Sequence, residues 1–257
     1  MLRHQDIILQ LFCAIADRLR SVDRKHPQGR LYLSEIVLCG VLFVLKGVSF
    51  RRFYHWLAEQ HLFSQLPERS RLLRLIVAKR DFCNLFLASS TLFEVLDSFG
   101  VEMVHPWREN RSKLLRRLTR KGFSNHRWIV GRKLAITLNG NLEVVRVSDA
   151  TANVHDAVFN ETHAADASIV LTDQGFRQRI GTPGNFKICR RGHWNERMWI
   201  ETLFSLWTRI CQMKKSFHRS LEGFRAKAAY LISLTNIVVN LNERLGFSRL
   251  SLVQWSI

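Results

Sequence analysis

The hydrophobic pattern of this chain changes its period near Ser89, and that change limits the folds available to it. From His4 to about Ser89 apolar residues recur three and four positions apart, as in Ile8, Phe12 and Ile15, which is the spacing of one helix face. After Ser89 short runs of β-branched and aromatic residues alternate with helical stretches. This order predicts an α/β domain at 91–257, with C-terminal helices, preceded by an all-helical N-terminal domain at 1–90.

Two of the later runs carry a strong hairpin signal. Residues 127–138 and 141–148 are rich in β-formers, and the pair Asn139-Gly140 stands between them. Asn-Gly favours a tight turn, so these two strands should be antiparallel neighbours. Further strands are predicted at 92–97, 168–172 and 186–189, and long helices at 194–214 and 221–242.

The charge of the chain indicates a polyanionic partner. Lys and Arg number 39 against 21 Asp and Glu, a net charge of +18. Such a field attracts nucleic acid and discourages self-association, although a surface of solvated Arg side chains is the alternative. The apolar run at 36–45 is too short to cross a bilayer and the N-terminus lacks a signal peptide pattern, so we expect a cytoplasmic protein without membrane attachment.

Three carboxylates stand out against this basic background. Asp97 and Asp173 each follow a predicted strand, where side chains project from a rigid frame. On the helix at 194–214, a turn of 100° per residue places Glu201 in line with Arg197 and Thr208 and away from the apolar side. Taken singly, a strand-end Asp is also a common turn former or cap, and Glu201 could simply pair with Arg197.

Together the three acids predict a metal-dependent site. Converging carboxylates repel one another until divalent cations occupy the site. Oxygen ligands of this kind select Mg²⁺, and Mn²⁺ can substitute. Two such ions can activate a water or a 3′-hydroxyl and stabilise the leaving oxygen of a phosphodiester. We therefore predict Asp97, Asp173 and Glu201 as catalytic residues and metal ligands.

Basic side chains interleaved with Trp107 and Phe123 fill the segment 101–127, a composition suited to a nucleic-acid strand, although a plain surface loop is the alternative. The predicted DNA contacts in this segment are Arg108, Arg111, Lys113, Arg116, Arg117 and Lys121. Arg132 and Lys133, on the predicted strand that follows, are predicted contacts as well. Asp149 and Asp156 flank "ATANVH", and we interpret them as local capping residues. His163 and His193 are likewise interpreted as structural.

Six stretches in order resemble the DDE transposases of bacterial insertion sequences: "VLDSFGVEMV", "GRKLAITLNGNLEVV", "TANVHDAVF", "IVLTDQGF", "RMWIETLFSLW" and "RSLEGFRAKAAYLISLTNIVVNLN". The chain looks most like the compact insertion-sequence four, five and nine-eight-two types, and the similarity covers residues 92–242. The resemblance implies a ribonuclease H-like mixed sheet with flanking helices, and it assigns Asp97, Asp173 and Glu201 as the three acids.

The activity implied by the resemblance is a DNA transposase. Such an enzyme cuts at transposon ends and transfers the 3′-hydroxyl into target DNA, supported by two Mg²⁺ ions. Its partners are the terminal inverted repeats and target DNA, both double-stranded, and it acts as a homodimer. The helical N-terminal domain would bind the DNA ends, and the protein would be associated with the bacterial nucleoid.

The region of Glu201 departs from the family pattern. Members often carry Tyr-x-x-Arg-x-x-x-Glu with Lys seven residues later, where this chain has Trp194, Arg197, Glu201 and Thr208. Trp194 keeps an aromatic surface for a base and Arg197 is retained, so both are predicted DNA contacts, while Thr208 lacks the cation. Two alternatives therefore stay open: a catalytically inactive DNA-binding derivative, and a ribonuclease H-like metal-dependent nuclease.

Overall fold

The structure, a computed structural model, describes residues 3–109, 111, 118–124, 127–164, 168–179, 181–189, 196–216, 218 and 220–257. The chain forms two compact units. The helical unit comprises Met1–Leu87, Arg209–Gln212 and Glu222–Ile257. The sheet unit comprises Ala88–Thr208 and Met213–Leu221.

Helices build the first unit and flank the sheet in the second. The helical unit contains α1 (His4–Leu19), α2 (Leu33–Lys46), α3 (Phe50–Glu59), α4 (Arg69–Ala78) and α7 (Leu221–Arg244). The sheet unit contains α5 (Asn160–His163) and α6 (Arg197–Arg209) as far as Thr208.

The core of the helical unit is formed around α2 and α7. Every residue of α2 from Leu33 to Leu45 is buried except Glu35, because its sequence is apolar on all sides. The Tyr230 hydroxyl of α7 donates to the Ile76 carbonyl at 2.8 Å, and the Asn236 amide donates to the Phe86 carbonyl at 2.8 Å. These buried hydrogen bonds satisfy polar groups inside the core.

The position of α7 differs from the division predicted from sequence. The C-terminal helices were placed with the strands at 91–257, yet Glu222–Ile257 packs within the helical unit. The physical reason is that α7 has buried side chains on all its faces, from Phe224 to Leu241, and so needs neighbours around its whole circumference.

No single described helix is long and apolar enough to cross a bilayer. α2 and α3 taken together reach that length and apolar composition, but they meet at a bend of 117°.

Among the described residues, the sheet unit is α/β, with a mixed six-stranded sheet. Its strands are β1 (Phe93–Val104), β2 (Arg120–Ser124), β3 (Arg127–Asn139), β4 (Val144–Thr151), β5 (Ile169–Thr172) and β6 (Phe186–Ile188). The order is β2-β3-β1-β5-β6, and β4 also pairs with β3. β3 is antiparallel to β1, β2 and β4, whereas β5 is parallel to β1 and to β6.

The predicted hairpin is confirmed. β3 and β4 pair antiparallel, and the Asn139 side chain accepts from the backbone N–H groups of Asn141 and Glu143 at 2.9 and 3.0 Å. The Asn139 side chain therefore stabilises the loop in which sequence reasoning placed the turn.

The two faces of the sheet are covered by different elements. Phe99 of β1 contacts the Phe204 ring of α6 at 5.0 Å between centroids, and Phe93 contacts Trp199 at 6.1 Å. Residues two apart on a strand share a face, so Phe93, Phe99 and Asp97 all face α6. We call this the α6 face. The opposite face packs a cluster of Leu96, Ala135, Phe159, Val170, Phe176 and Phe186.

His163 belongs to that opposite face and has the structural role expected from sequence. Its two ring nitrogens lie 2.6 Å from the Thr137 hydroxyl and 2.7 Å from the Ser148 hydroxyl. Burial first, and then the nearby Arg146 charge, lower the pKa of His163 to about 3. The ring is therefore neutral at neutral pH and joins β3 and β4 by hydrogen bonds.

Candidate functional site

The pairing of β1 with β5 brings Asp97 and Asp173 together. Glu94 is the partner of Val170 and Val95 is the partner of Leu171 in the parallel ladder. Continuing this register by two residues sets Asp173 beside Asp97. Asp173 follows β5 directly and accepts from the Gly175 N–H at 2.8 Å, which holds its carboxylate at the end of the strand.

The carboxyl group of Asp97 has a strongly raised pKa. Burial is the main cause that raises the pKa of Asp97 to about 7, and repulsion from Asp173 is the second. A hydrogen bond from the Ser98 backbone N–H, 2.7 Å from the carboxylate, and the charge of Arg197 act in the opposite direction. Two acids that repel each other in a shielded place are typical of functional sites.

Arg197 connects Glu201 with this pair. Glu201 lies on the solvent side of α6 with half of its side chain exposed, as the helix-face argument predicts. The Arg197 guanidinium is 3.8 Å from the Glu201 carboxylate and 4.0 Å from that of Asp173. One guanidinium therefore bridges the second and third predicted acids, while Asp97 lies beside the second.

The donor set suits a hard divalent cation in its chemistry, because all three candidates are carboxylates and two of them repel each other. In the part of the chain that the structure describes, no three His, Cys, Asp or Glu side chains converge closely enough to hold a metal ion. The side chains that would have to converge are Asp97, Asp173 and Glu201, and Arg197 is the cation that accompanies the last two.

Sequence reasoning missed a fourth acid. Asp156 was interpreted as a cap, but the His155 side chain accepts from the Ala157 N–H and occupies that role. Asp156 instead accepts from the Ser98 hydroxyl at 2.8 Å and from the Lys133 ammonium at 2.9 Å. A Cβ added to Gly175 would lie 3.0 Å from oxygens of both Asp156 and Asp173, so these two carboxylates flank the same glycine.

Two predicted DNA contacts are corrected by the structure. Arg132 and Lys133 are each only 7% exposed. Arg132 donates to Asp149 at 2.7 Å and to the Leu118 carbonyl at 2.8 Å, and Lys133 is paired with Asp156. Both cations therefore neutralise internal acids, and their burial leaves little surface for a phosphate.

Of the other predicted contacts, Arg197 lies between Asp173 and Glu201 with 16% of its side chain exposed. The rest are either exposed or outside the described residues. Arg108, Arg111 and Lys121 are exposed, as a phosphate contact requires. Lys113, Arg116, Arg117 and Trp194 lie outside the described residues. Thr208 donates its hydroxyl to the Phe204 carbonyl of its own helix at 2.9 Å.

A second candidate site is present in the helical unit. α2 ends at Lys46 and is capped by Gly47, whose φ of 61° is left-handed. α3 begins three residues after Gly47, and the two helices meet at a bend of 117°. Two helices at such an angle with a short Gly-containing turn match a helix-turn-helix arrangement. The Ser49 side chain caps α3 by accepting from the Arg52 N–H at 3.4 Å.

The outer face of α3 is polar and basic. Phe53 and Leu57 are buried, while Arg51, Arg52 and His55 are exposed. At 100° per residue the three exposed residues fall within one sector of the helix, opposite the buried pair. The exposed face of α3 therefore presents the guanidinium groups of Arg51 and Arg52 and the imidazole of His55 to solvent.

Comparisons with protein-family models, with curated proteins and with solved structures find no match to this chain.

Proposed function

We propose that this chain is a DNA transposase that cuts at transposon ends and transfers the 3′-hydroxyl to target DNA, with a ribonuclease H-like sheet unit. The observation that carries the proposal is the β1–β5 register, which sets Asp97 beside Asp173 in a chain of net charge +18. A mixed sheet with flanking helices is the architecture that the sequence resemblance implies.

Asp97, Asp173 and Glu201 are the residues that would hold Mg²⁺. When bound, the ions activate the attacking water or 3′-hydroxyl and stabilise the leaving oxygen. The chain itself fixes the carboxylates: Asp97 from the middle of β1 with the Ser98 N–H, Asp173 from the end of β5 with the Gly175 N–H. Arg197 supplies a positive charge between Asp173 and Glu201, where a phosphate oxygen would be attracted.

DNA binding is assigned to α3 in the helical unit. In a helix-turn-helix the second helix enters the major groove with its N-terminal residues at the base edges. Arg51 and Arg52 lie in the first turn of α3, and His55 follows one turn later on the same exposed face. Arginine in the major groove commonly binds guanine, so these side chains would read the end sequence.

The test uses a plasmid that carries the coding sequence with its native flanking DNA. Asp97→Asn, Asp173→Asn and Glu201→Gln should each abolish Mg²⁺-dependent nicking while duplex binding stays within about threefold, because none of the three is a DNA contact. Glu161→Gln, an exposed acid of α5, is the matched control and should cut normally. Cleavage that survives in all three variants would reject the proposal.

One observation favours a non-catalytic DNA-binding protein as the second candidate. Thr208 stands where the family has a cation, and its hydroxyl is bonded within α6. The same assay separates the candidates: tight, salt-sensitive binding without nicking in Mg²⁺ or Mn²⁺ supports the non-catalytic protein. Nicking without joining of the 3′ end to a second DNA supports a ribonuclease H-like nuclease instead.

A further inference from the structure

An exposed aromatic pair is held on the β2–β3 ladder. Phe123 and Trp128 are direct cross-strand partners, with ring centroids 5.6 Å apart and an interplanar angle of 72°. Their exposed fractions are 54% and 59%. The Lys121 ammonium lies 5.5 Å from the centroid of the Trp128 ring. We call Lys121, Phe123 and Trp128 the aromatic patch.

The packing of the opposite face explains why these rings point outward. Gly122 and Ile129, which alternate with the patch residues, are buried. A Cβ on Gly122 would overlap the Ala152 carbonyl oxygen, so the inner side of β2 is in close contact with the backbone beyond β4. The two large rings therefore have no space on the inner face, and the strand period directs them to solvent.

The patch lies on the α6 face, the face of Asp97. Ile136 of β3 is the register partner of Asp97, and directly paired residues point to the same face. Trp128 is eight residues from Ile136 along β3, which is an even number and a distance of about 26 Å. The same face of one strand thus connects the exposed rings with the candidate catalytic acids.

Charge determines which partner suits this patch. Residues 105–128 contain eight basic residues and a single acid, Glu109. A second copy of the same surface would be repelled. Exposed rings beside cations instead match the surfaces that stack bases and contact phosphates. Bases inside a duplex are already stacked on each other, so an unpaired strand has the free base faces that such rings need.

We infer that the aromatic patch binds single-stranded DNA by stacking unpaired bases on Phe123 and Trp128, with Lys121 against the backbone phosphate. The site is additional to the predicted acids and to α3. The aromatic patch binds any DNA with unpaired bases, including a strand of a duplex that has opened or frayed on the α6 face. The inference does not depend on the proposed catalysis, because neither ring is part of the acid site.

The experiment measures binding of the full chain to fluorescein-labelled oligo(dT) of 20 nucleotides and to a 20-base-pair duplex, by anisotropy at fixed salt. Phe123→Ala with Trp128→Ala should weaken oligo(dT) binding by about tenfold or more, and duplex binding by less than about threefold. Trp128→Phe keeps a ring and should stay within about threefold. Phe247→Ala removes an exposed ring from the helical unit and should change neither affinity.

The outcomes are distinct. Unchanged oligo(dT) affinity in the double variant overturns the inference, and so does an equal loss on oligo(dT) and duplex. A loss of self-association in the double variant with unchanged oligo(dT) binding overturns it in favour of a contact between copies. A selective loss of oligo(dT) binding in the double variant, with binding retained in Trp128→Phe, supports the inference. Failure of the protein to cut DNA would count only against the proposed transposase and not against this inference.

Discussion

The carboxyl group of Asp97 should give this protein a stability that declines with rising pH. Its pKa is raised from 3.8 to about 7, mainly by burial and then by Asp173. The native state therefore keeps a proton that the unfolded chain releases near pH 4. The free energy of unfolding should fall as the pH rises from about 4 to about 7 and should level off above that.

Asp97→Asn should remove this decline. At pH 8 the variant should be more stable than the unchanged protein by up to about 4 kcal/mol. Below about pH 4 the two should agree, because both side chains are then uncharged in the folded and in the unfolded state. Urea unfolding at the two pH values measures the difference, with Glu161→Gln as the control.

A second measurement on the same variant tests the metal. At pH 8, Mg²⁺ should raise the melting temperature of the unchanged protein more than that of Asp97→Asn, because a ligand that binds only the native state stabilises it.

The pH prediction itself is contradicted if the unchanged protein and Asp97→Asn are equally stable at pH 8 without Mg²⁺, because the Asp97 charge would then not be buried.

Asp156 should stabilise the fold by compensating the charge of the buried Lys133 ammonium. Asp156→Asn keeps an acceptor for the Ser98 hydroxyl but leaves the buried Lys133 ammonium with the Val154 carbonyl at 3.2 Å. The expected loss of stability is about 3 kcal/mol.

A double variant tests whether the Asp156–Lys133 ion pair accounts for this loss of stability. Adding Lys133→Met to Asp156→Asn should recover most of the loss, because the buried cation is then gone. Urea unfolding of the four proteins completes the cycle. Losses that simply add in the double variant would show that the two side chains act independently.

The sequence singled out Asp173 and Glu201 as candidate site residues but not Asp156. The first two have local signals: an acid directly after a buried apolar run, and an acid on the polar side of an amphipathic helix. The partners of Asp156 are 58 and 23 residues away in the chain. Only the sheet register brings them together, and a single sequence does not specify that register. Trp128 was overlooked for the same reason, since its partner Phe123 is a cross-strand neighbour.

At the scale of elements, the strands with local signals were predicted best. β3 and β5 agree closely with the predicted runs, and the Asn-Gly pair marked the hairpin correctly. β1 was predicted to end at Asp97 but continues to Val104. Asp97, Ser98 and Gly100 are poor strand formers, and continuous pairing of β1 with β3 overrides that preference. Asp97 thus lies within a strand instead of at its end.

The packing of α2 against α7 depends on a residue without a side chain. A Cβ on Gly40 would overlap the Tyr230 ring, and that ring is fixed by its hydroxyl bond to the Ile76 carbonyl. Gly40→Ala should therefore destabilise the helical unit by about 1–3 kcal/mol, although alanine is the better helix former.

Thermal unfolding of the full chain measures the effect of Gly40→Ala. Gly184→Ala is the control, because a Cβ at Gly184 would meet nothing within 4 Å, and it should leave the melting temperature within about 1–2 °C. A rise in melting temperature for Gly40→Ala would mean that α2 and α7 are not in such close contact.

At the scale of the whole molecule, a net charge of +18 predicts salt-dependent binding to any DNA. The charge alone does not say whether affinity comes from the general field or from particular contacts. Substitutions that remove equal charge at different places separate the two. Arg51 and Arg52 are exposed on α3, whereas Arg3 and Arg20 are exposed in the same unit but paired with Asp6 and Asp17.

If α3 contacts the phosphates of DNA, the double variant Arg51→Ala with Arg52→Ala should bind DNA with a weaker salt dependence. The slope of log K against log salt, which is negative, should become smaller in magnitude by about two. Arg3→Ala with Arg20→Ala lowers the net charge by the same amount and should leave that slope nearly unchanged, because contacts release counterions and distant charges do not. Binding of a 20-base-pair duplex between about 50 and 200 mM salt provides the measurement. Equal slopes in the two double variants would mean that α3 does not bind DNA and that the field of the whole chain attracts it.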